Sequence, residues 1–266
     1  MKVDPVDIIK VGGSILSNKK RYRTLKKRTI KKICKLLSEY RNPFILVHGA
    51  GSFGHIIADK FSINSGYSHP GQLEALARIR YDMTELSLYI TKQLLKKGVQ
   101  VINFQTSALA YITNEKRLSL YVDPLLKALE LKIVPMLSGD IIFHHIQGFS
   151  ILSGDRIIKE LSKRLTVKRI IFITDVDGIE ITNKETKRPT IVQETTQEEL
   201  ESLELYNKRV DDTIIDVTGM MKGKLAEIKE ALNSGVEEVI IVNGKFPERI
   251  KKVLNNEETL CTRITR

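Results

Sequence analysis

Glycine-rich turns follow short apolar runs in this sequence, and such turns are suited to binding anions. Residues 44–47 are continuously apolar, and Gly49, Gly51 and Gly54 come directly after them. A run of this kind is typical of a parallel strand buried on both faces, and glycine allows backbone N–H groups to approach a ligand closely. The spacing is neither Gly-x-x-x-x-Gly-Lys-Ser/Thr nor Gly-x-Gly-x-x-Gly. The turn therefore predicts an anion site that is neither a P-loop nor a dinucleotide fingerprint.

A lysine stands just before a second such turn. Lys10 lies inside the apolar run 6–11, and Gly12, Gly13 and Ser14 follow it. Because an unpaired lysine is rarely buried, the position predicts an ammonium group that reaches a ligand. A solvated lysine on an edge strand is the alternative. A positive charge beside several backbone donors would suit a polyphosphate.

Two further turns come before predicted helices. In Ser153-Gly154-Asp155 the aspartate is most simply an N-cap, although it could instead hold a magnesium ion or a lysine near phosphates. Residues 216–224 open the other helix, with lysines at 222 and 224 in its first turns. Cations oppose the helix dipole there unless an anion also binds, so this turn favours a phosphate site over a solvated lysine pair.

One histidine has a position that suits catalysis. His55 ends the glycine turn after residues 44–47 and begins a predicted helix. An imidazole there could donate a hydrogen bond to a bound phosphate; a helix-start histidine satisfied by the backbone is the alternative. His48, inside the strand end, is predicted to be structural.

The elements that position these turns alternate along the chain. Apolar runs predict strands at 6–11, 44–47, 99–104, 132–137, 169–174, 236–242 and 259–265, a hairpin at 141–152, helices at 72–97, 123–131 and 155–165, and irregular structure at 179–196. This order predicts an α/β fold, a three-layer αβα sandwich with a mostly parallel central sheet. The glycine turns would then gather at the carboxyl ends of the strands.

The basic charge of the chain is local. The net charge is +11, and residues 19–35 contain ten Lys or Arg and no acid, so the remainder carries only +1. Apolar residues from Leu25 to Leu37 recur at helical spacing within this run and predict an amphipathic helix with a solvated basic face. Nucleic-acid binding by the same helix is the alternative.

Other totals restrict the class of protein. Cys34 and Cys261 have no neighbours at metal-ligand spacing and form no disulfide framework. No apolar signal region and no membrane-length apolar run occur, which predicts a soluble, cytoplasmic protein.

The 72–97 helix is apolar over a broad arc, as expected for a helix between the sheet and a dimer partner, or for one wall of a substrate pocket.

Taken together, the motifs resemble the amino-acid kinase superfamily. They are Lys10-Val-Gly-Gly-Ser14, Val47-His-Gly-Ala-Gly-Ser-Phe-Gly-His55, Ser153-Gly-Asp155, Thr174-Asp-Val-Asp-Gly178 and Asp216-Val-Thr-Gly-Met-Met-Lys-Gly-Lys224. Within the superfamily they look most like the archaeal-type isopentenyl phosphate kinases. The histidine ending the glycine turn separates this branch from acetylglutamate, glutamate, carbamate and uridylate kinases, and fosfomycin kinases are similar there.

The resemblance implies ATP- and Mg²⁺-dependent phosphorylation of isopentenyl phosphate to isopentenyl diphosphate, in an alternative mevalonate pathway. It implies one domain over residues 1–266, with an acceptor-binding half at 1–165 and a nucleotide-binding half at 166–266. A homodimer without nucleic-acid or membrane partners is implied as well. The implied catalytic residues are Lys10, Lys19 and His55; Lys10, Gly12, Gly13, Ser14, Gly51, Asp175, Gly219 and Lys224 would bind ATP, and Gly49, Ala50, His55 and Gly154 would bind the acceptor.

Two features leave alternatives open. Related kinases usually have Thr-Gly-Gly-Met where this chain has Met220 as the third residue, so either Lys222 or Lys224 could meet the nucleotide. The acceptor's tail needs an apolar pocket, for which Ile79, Met83, Ile142 and Ile151 are the hypothesis. A kinase of another phosphate or phosphonate would keep His55 but need a polar pocket.

Overall fold

The computed structural model describes residues 4–182, 189–200 and 219–266. The strands are β1 (Val6–Val11), β2 (Phe44–His48), β3 (Val101–Asn103), β4 (Ala110–Ile112), β5 (Leu118–Leu120), β6 (Val134–Ser138), β7 (Asp140–His144), β8 (Gly148–Leu152), β9 (Val167–Thr174), β10 (Ile179–Thr182), β11 (Pro189–Val192), β12 (Glu194–Thr196), β13 (Glu238–Asn243) and β14 (Thr262–Thr265). The helices are α1 (Gly13–Leu16), α2 (Lys27–Glu39), α3 (His55–Lys60), α4 (Gly71–Leu95), α5 (Thr106–Leu109), α6 (Asp123–Glu130), α7 (Gly154–Ser162), α8 (Gly219–Asn233) and α9 (Pro247–Leu254), with 3₁₀ turns at Gly51–Phe53 and Ile63–Ser65.

The main sheet has eight strands in the order β12-β14-β13-β9-β1-β2-β6-β3. Neighbours from β13 to β3 are parallel, and β14 runs antiparallel to β13. A four-stranded sheet, β5-β4-β7-β8, contains the predicted hairpin, and β10 pairs with β11. The mostly parallel sheet confirms the predicted fold class.

Alternate residues of the central strands supply two separate apolar layers. Ile9 and Val11 pack with α2, α4 and α9 on one face of the sheet, whereas Val6 and Ile8 pack with α6, α7 and α8 on the other. Because side chains of a strand point alternately to opposite faces, a continuously apolar strand must be covered on both. The three-layer αβα sandwich follows from this alternation.

Two predictions of local structure are wrong. Residues 179–196 are not irregular in the described part, because Ile179 to Thr182 pairs antiparallel with Pro189 to Val192. The basic run at 19–35 is not one helix, because α2 begins at Lys27 and residues 19–23 form turns and a bend beforehand. Within α2 the expected division holds, since Ile30, Ile33 and Leu37 are buried.

The topology brings the glycine turns together. Strands β9, β1 and β2 are parallel neighbours, so their carboxyl ends lie at one edge of the sheet, and Val11 is in register with both His48 and Ile173. The turns that follow each strand must therefore meet there. No helix in the described ranges is long and apolar enough to cross a membrane.

Candidate active site

The first two glycine turns interlock at this edge. A Cβ on Gly13 would lie 2.2 Å from the backbone nitrogen of Gly51, and a Cβ on Gly49 would lie 2.6 Å from that of Gly13. Gly51 has φ of +50°, a region that favours glycine. No described residue accepts a hydrogen bond from the amides of Gly13, Ala50 or Gly51. Two backbones this close, with amides still available, provide the donors that the predicted anion site requires.

Ser17 joins the two turns, and the sequence analysis missed it. It is fully buried, its hydroxyl donates to the Gly13 carbonyl at 3.0 Å, and it accepts from the Ser52 amide at 2.8 Å. A buried hydroxyl that satisfies backbone groups of both turns fixes their separation. Its sequence signal was weak, because a serine after a short helix is common.

Lys10 lies in the interior of the sheet and forms an ion pair with Asp155. The lysine is 8% exposed, and its Nζ is 2.7 Å from Asp155 Oδ1 and 5.7 Å from the centre of the Phe172 ring. The edge-strand alternative is therefore wrong, since β1 lies between β9 and β2. Gly154 makes room for the lysine, because a Cβ there would be 3.0 Å from Lys10 Cε.

Asp155 is not the N-cap of α7. Ser153 is, and its Oγ accepts a hydrogen bond from the Arg156 amide at 3.1 Å. Of the alternatives weighed from the sequence, the structure bears out an aspartate that holds a lysine beside the glycine turns. The helix also ends at Ser162, before the predicted Leu165.

Lys19 approaches the same edge from the exposed side. Its Nζ is 3.3 Å from Asp175 Oδ2, directly after β9. Burial raises the pKa of Asp175, but the charge of Lys19 and the hydrogen bond from Ser14 lower it by more, so the pKa lies below its ordinary value. Asp175 is thus a carboxylate at neutral pH that joins residues of the first turn to the end of β9.

His55 and His48 have different surroundings. His48 is fully buried, with Nε2 2.9 Å from Ser87 Oγ, as predicted for a structural histidine. His55 is exposed, and its ring forms no hydrogen bond with a described residue. Partial desolvation lowers the pKa of His55; Asp59 opposes this, whereas Lys19 and Lys10 lower it further. The His55 imidazole is therefore accessible, and the positive charges of Lys19 and Lys10 favour its neutral form.

Three of the four predicted tail residues share one apolar cluster. Ile79 and Met83 of α4 are buried in it, Ile151 packs against it, and Met83 Sδ would be 3.6 Å from a Cβ on Gly54. The prediction that Ile142 joins these residues is wrong, because Ile142 belongs to the cluster on the opposite face of the sheet. Ile141 pairs with Ile151 across the hairpin and belongs to the same apolar cluster as Ile79 and Met83. The error is a shift of one residue, which reverses the face in a strand.

The third predicted nucleotide segment lies partly outside the described residues. Helix α8 begins at Gly219, in agreement with the predicted helix. Residues 201–218 lie outside the description, as do the side chains of residues 219–224, and the choice between Lys222 and Lys224 therefore stays a prediction. In the ranges that are described, no three His, Cys, Asp or Glu side chains are grouped as a metal site.

The fold and the glycine turns define a class of phosphoryl-transfer enzyme. Residues 6–243 match the sequence profile of the Amino acid kinase family, and the chain belongs to this family of kinases. It is 32% identical over 244 residues to the isopentenyl phosphate kinase of Thermoplasma acidophilum, covering 91% of this chain and 94% of that relative. It is also 32% identical over 270 residues to the isopentenyl phosphate kinase of Methanothermobacter thermautotrophicus, covering 97% and 98%.

A solved structure agrees over the same extent. The fold superposes with a TM-score of 0.78 on the crystal structure of a product complex of T. acidophilum isopentenyl phosphate kinase. The two chains are 26% identical, and the superposition covers 97% of this chain and 99% of that one. The resemblance inferred from the motifs is thus confirmed at the level of family and fold.

Proposed function

We propose that this enzyme transfers the γ-phosphoryl group of ATP to isopentenyl phosphate, giving isopentenyl diphosphate and ADP. The observation that carries the proposal is the meeting of Lys10, Lys19 and His55 around the interlocked glycine turns. The relatives named isopentenyl phosphate kinase, which cover more than nine-tenths of the chain, support the same acceptor. The reaction would take place at the junction of an acceptor half, 1–165, and a nucleotide half, 166–266.

The acceptor needs no catalytic base. A phosphate monoester is already ionised at neutral pH, so one of its oxygens can attack the γ-phosphorus directly. A new P–O bond forms as the bond from γ-phosphorus to the bridging oxygen breaks, and that electron pair leaves on ADP. The difficulty is repulsion between two anions, which Lys10, Lys19 and the free amides of Gly13, Ala50 and Gly51 would offset.

His55 would orient the acceptor. A neutral imidazole can donate one hydrogen bond to a nonbridging oxygen of the acceptor phosphate, and its lowered pKa favours that neutral form. Alignment of the attacking oxygen, with Gly49 and Gly154 lining the acceptor side, accounts for a large part of catalysis in a reaction of this kind. A carboxylate acceptor would not need this donor, which is why His55 would select phosphate.

The residues on the nucleotide side fit ATP with Mg²⁺. Gly12, Gly13 and Ser14 follow β1; the Gly12 amide donates to the Ile173 carbonyl at 2.8 Å, which leaves the Gly13 amide as a donor for the nucleotide. Asp175 is ionised beside them, while Gly219 and Lys224 are proposed from the motif. Magnesium is usually bound by one or two carboxylates together with substrate phosphates, so a dedicated cluster of protein ligands is not required. When bound, it would neutralise charge on the phosphate oxygens.

The apolar side chains next to the glycine turn favour an acceptor with a hydrocarbon tail. The cluster around Ile79, Met83, Ile141 and Ile151 is apolar, and Gly54 connects it to the phosphate-binding turn. A fosfomycin-type acceptor would need polar partners at this place. A prenyl phosphate with its head at His55 and its tail along α4 is therefore the better fit.

A homodimer in the cytoplasm completes the proposal. Helix α4 exposes Leu73, Leu88 and Leu95 on one side, and each of these side chains is more than half exposed. Their spacing places them within one arc of the helix, which would form an apolar surface for a second copy. Sedimentation velocity of the parent and of Leu88→Lys tests this, and a parent that sediments as a monomer at micromolar concentration rejects it.

The acceptor is tested by measuring ADP formation with Mg²⁺, ATP and isopentenyl phosphate, acetylglutamate, uridylate or fosfomycin in turn. Turnover of isopentenyl phosphate alone, lost in His55→Ala, is the expected result. Turnover of another acceptor only would keep the kinase class and reject the substrate. Salt-sensitive binding of RNA or DNA without any kinase activity would instead favour the basic helix α2 as the functional surface.

A further inference from the structure

A short excursion of the chain carries Lys19 to the active site. We call residues 18–25 the strap. It connects α1 to α2, and an isolated bridge between Ser17 and Leu25 holds its two ends together. The Asn18 amide donates to the Thr24 carbonyl at 2.9 Å and closes the strap. The Lys19 side chain is about half exposed, and its Nζ forms an ion pair with Asp175.

A buried carboxylate holds the opposite arm of the strap. Asp82 of α4 is completely buried, and Tyr22 donates a hydrogen bond to its Oδ2. The Arg23 Nε lies 3.4 Å from its Oδ1, and the Arg78 Nε lies 3.3 Å from the same oxygen. Arg78 also donates to the Tyr22 hydroxyl at 3.0 Å, and Arg23 forms an ion pair with Glu85.

Burial of the Asp82 charge adds little to stability, which indicates that the cluster fixes geometry instead. A charge taken out of water gains little net stability from its partners, and an apolar residue at position 82 would fit the pattern of Ile79, Met83 and Leu86 equally well. Asp82 Oδ2 accepts a hydrogen bond from Tyr22, whereas the buried Oδ1 forms no hydrogen bond with a described residue and lies between the charged groups of Arg23 and Arg78. Arg23 adopts φ of +52°, a strained conformation for a residue other than glycine, and its amide donates to the Ser52 carbonyl at 3.4 Å.

The strap therefore extends from α4 to the nucleotide side of the site. One end is fixed at Asp82, which directly precedes Met83 of the apolar cluster, and the other presents Lys19 to Asp175 at 3.3 Å. We propose that Asp82 is a positioning residue, which holds Tyr22 and Arg23 so that the strap sets the position of the Lys19 ammonium group. The inference depends on the proposed function, in which Lys19 stabilises the transferring phosphoryl group.

The structure offers a matched control for a buried Asp–Tyr–Arg cluster. Asp7 is 2% exposed, accepts a hydrogen bond from Tyr40, and lies 2.9 Å from Arg169 Nη2, but it is at the amino end of β1, opposite the glycine turns. Asp82→Asn is expected to lower kcat about 10- to 100-fold while the KM for isopentenyl phosphate stays within about threefold. Asp7→Asn should lose stability without a comparable fall in kcat.

A double-mutant cycle separates positioning from general damage. In a Lys19→Met background, Asp82→Asn should lower kcat by less than about twofold further, because its effect acts through Lys19. Losses that multiply, an unchanged kcat in Asp82→Asn, or an equal fall in Asp7→Asn would overturn the inference. If Asp82→Asn does not fold, Tyr22→Phe with Tyr40→Phe as its control replaces it in the same cycle. A parent enzyme that does not phosphorylate isopentenyl phosphate would instead reject the proposed function, and this inference with it.

Discussion

Lys10 Nζ and Asp155 Oδ1 lie 2.7 Å apart although 145 positions separate the two residues in the chain. Strand β1 delivers the lysine and the first turn of α7 delivers the carboxylate, and Gly154 leaves the space through which the lysine passes. The pair holds a cation beside the glycine turns before any phosphate arrives. A bound phosphate would share the lysine with Asp155.

The first prediction concerns this pair. Asp155→Asn is expected to lower the free energy of unfolding by about 1–3 kcal/mol, because the largely buried Lys10 loses a charged hydrogen bond. ATP should raise the melting temperature of the variant by more than that of the parent, since its phosphates replace the negative charge that Asp155 placed beside Lys10. Glu160→Gln on the same helix, whose partner Lys163 is 3.4 Å away at the surface, should change stability by less than about 0.5 kcal/mol. Equal responses of both variants in urea unfolding would contradict the prediction.

The contact between glycine turns predicts a strong effect of one methyl group. Gly13→Ala would place a Cβ 2.2 Å from the Gly51 nitrogen, so the turns must separate. We expect a loss of kcat of at least about 100-fold and a destabilisation of about 1–3 kcal/mol. Gly139→Ala is the control, because the nearest atom to its Cβ would be 3.5 Å away, an ordinary contact. Comparable kinetics of the two alanine variants would show that the approach of the turns is not needed.

The lowered pKa of His55 predicts the pH profile and the best substitute. The ring should be neutral at pH 7, so kcat/KM should not fall between pH 6 and 8 as it would if an imidazolium were required. His55→Gln, which keeps an N–H donor, should retain more activity than His55→Ala, for which a loss of about 100- to 1,000-fold in kcat is expected. A rate that declines with a pKa above 6.5 in the parent, but not in His55→Gln, would mean that the charged form is the active one.

His48 predicts how stability depends on pH. Burial lowers the pKa of His48 from 6.5 to about 4, so the folded protein binds fewer protons at this site than the unfolded chain between these values. The contribution is complete above pH 6.5 and is lost as the pH falls towards 4, with a limit of about 3 kcal/mol. Urea unfolding at pH 7 and pH 4.5 should show a smaller difference in His48→Gln than in the parent. The same pH difference in both proteins would mean that His48 does not titrate as described.

The apolar cluster predicts control of acceptor length. Ile151 is partly buried and pairs with Ile141, so Ile151→Phe should shorten the hydrocarbon chain that is accepted, and Ile151→Ala should lengthen it. The measurement is kcat/KM for isopentenyl phosphate and for geranyl phosphate in both variants. A ratio between the two acceptors that stays as in the parent would place the tail elsewhere.

The sequence alone determined the local chemistry of the site. Continuous apolar strands predicted a sheet covered on both faces, and glycine turns after 6–11 and 44–47 predicted an anion site, because strand burial and glycine's backbone freedom are properties of short segments. The position of His55 at the end of its turn was also readable. Family membership followed from the order of these motifs, and the comparisons confirm it.

Only the tertiary structure decided which distant residues act on one another. The ion pair of Lys10 with Asp155, the hydroxyl of Ser17 between two turns, and the strap fixed at Asp82 each join segments that no periodicity relates. An aspartate within the apolar pattern of α4 was the one sequence signal for the strap. Ile142 was placed wrongly because a strand reverses its face at every residue, and only the register with β8 shows that Ile141, not Ile142, packs with Ile151.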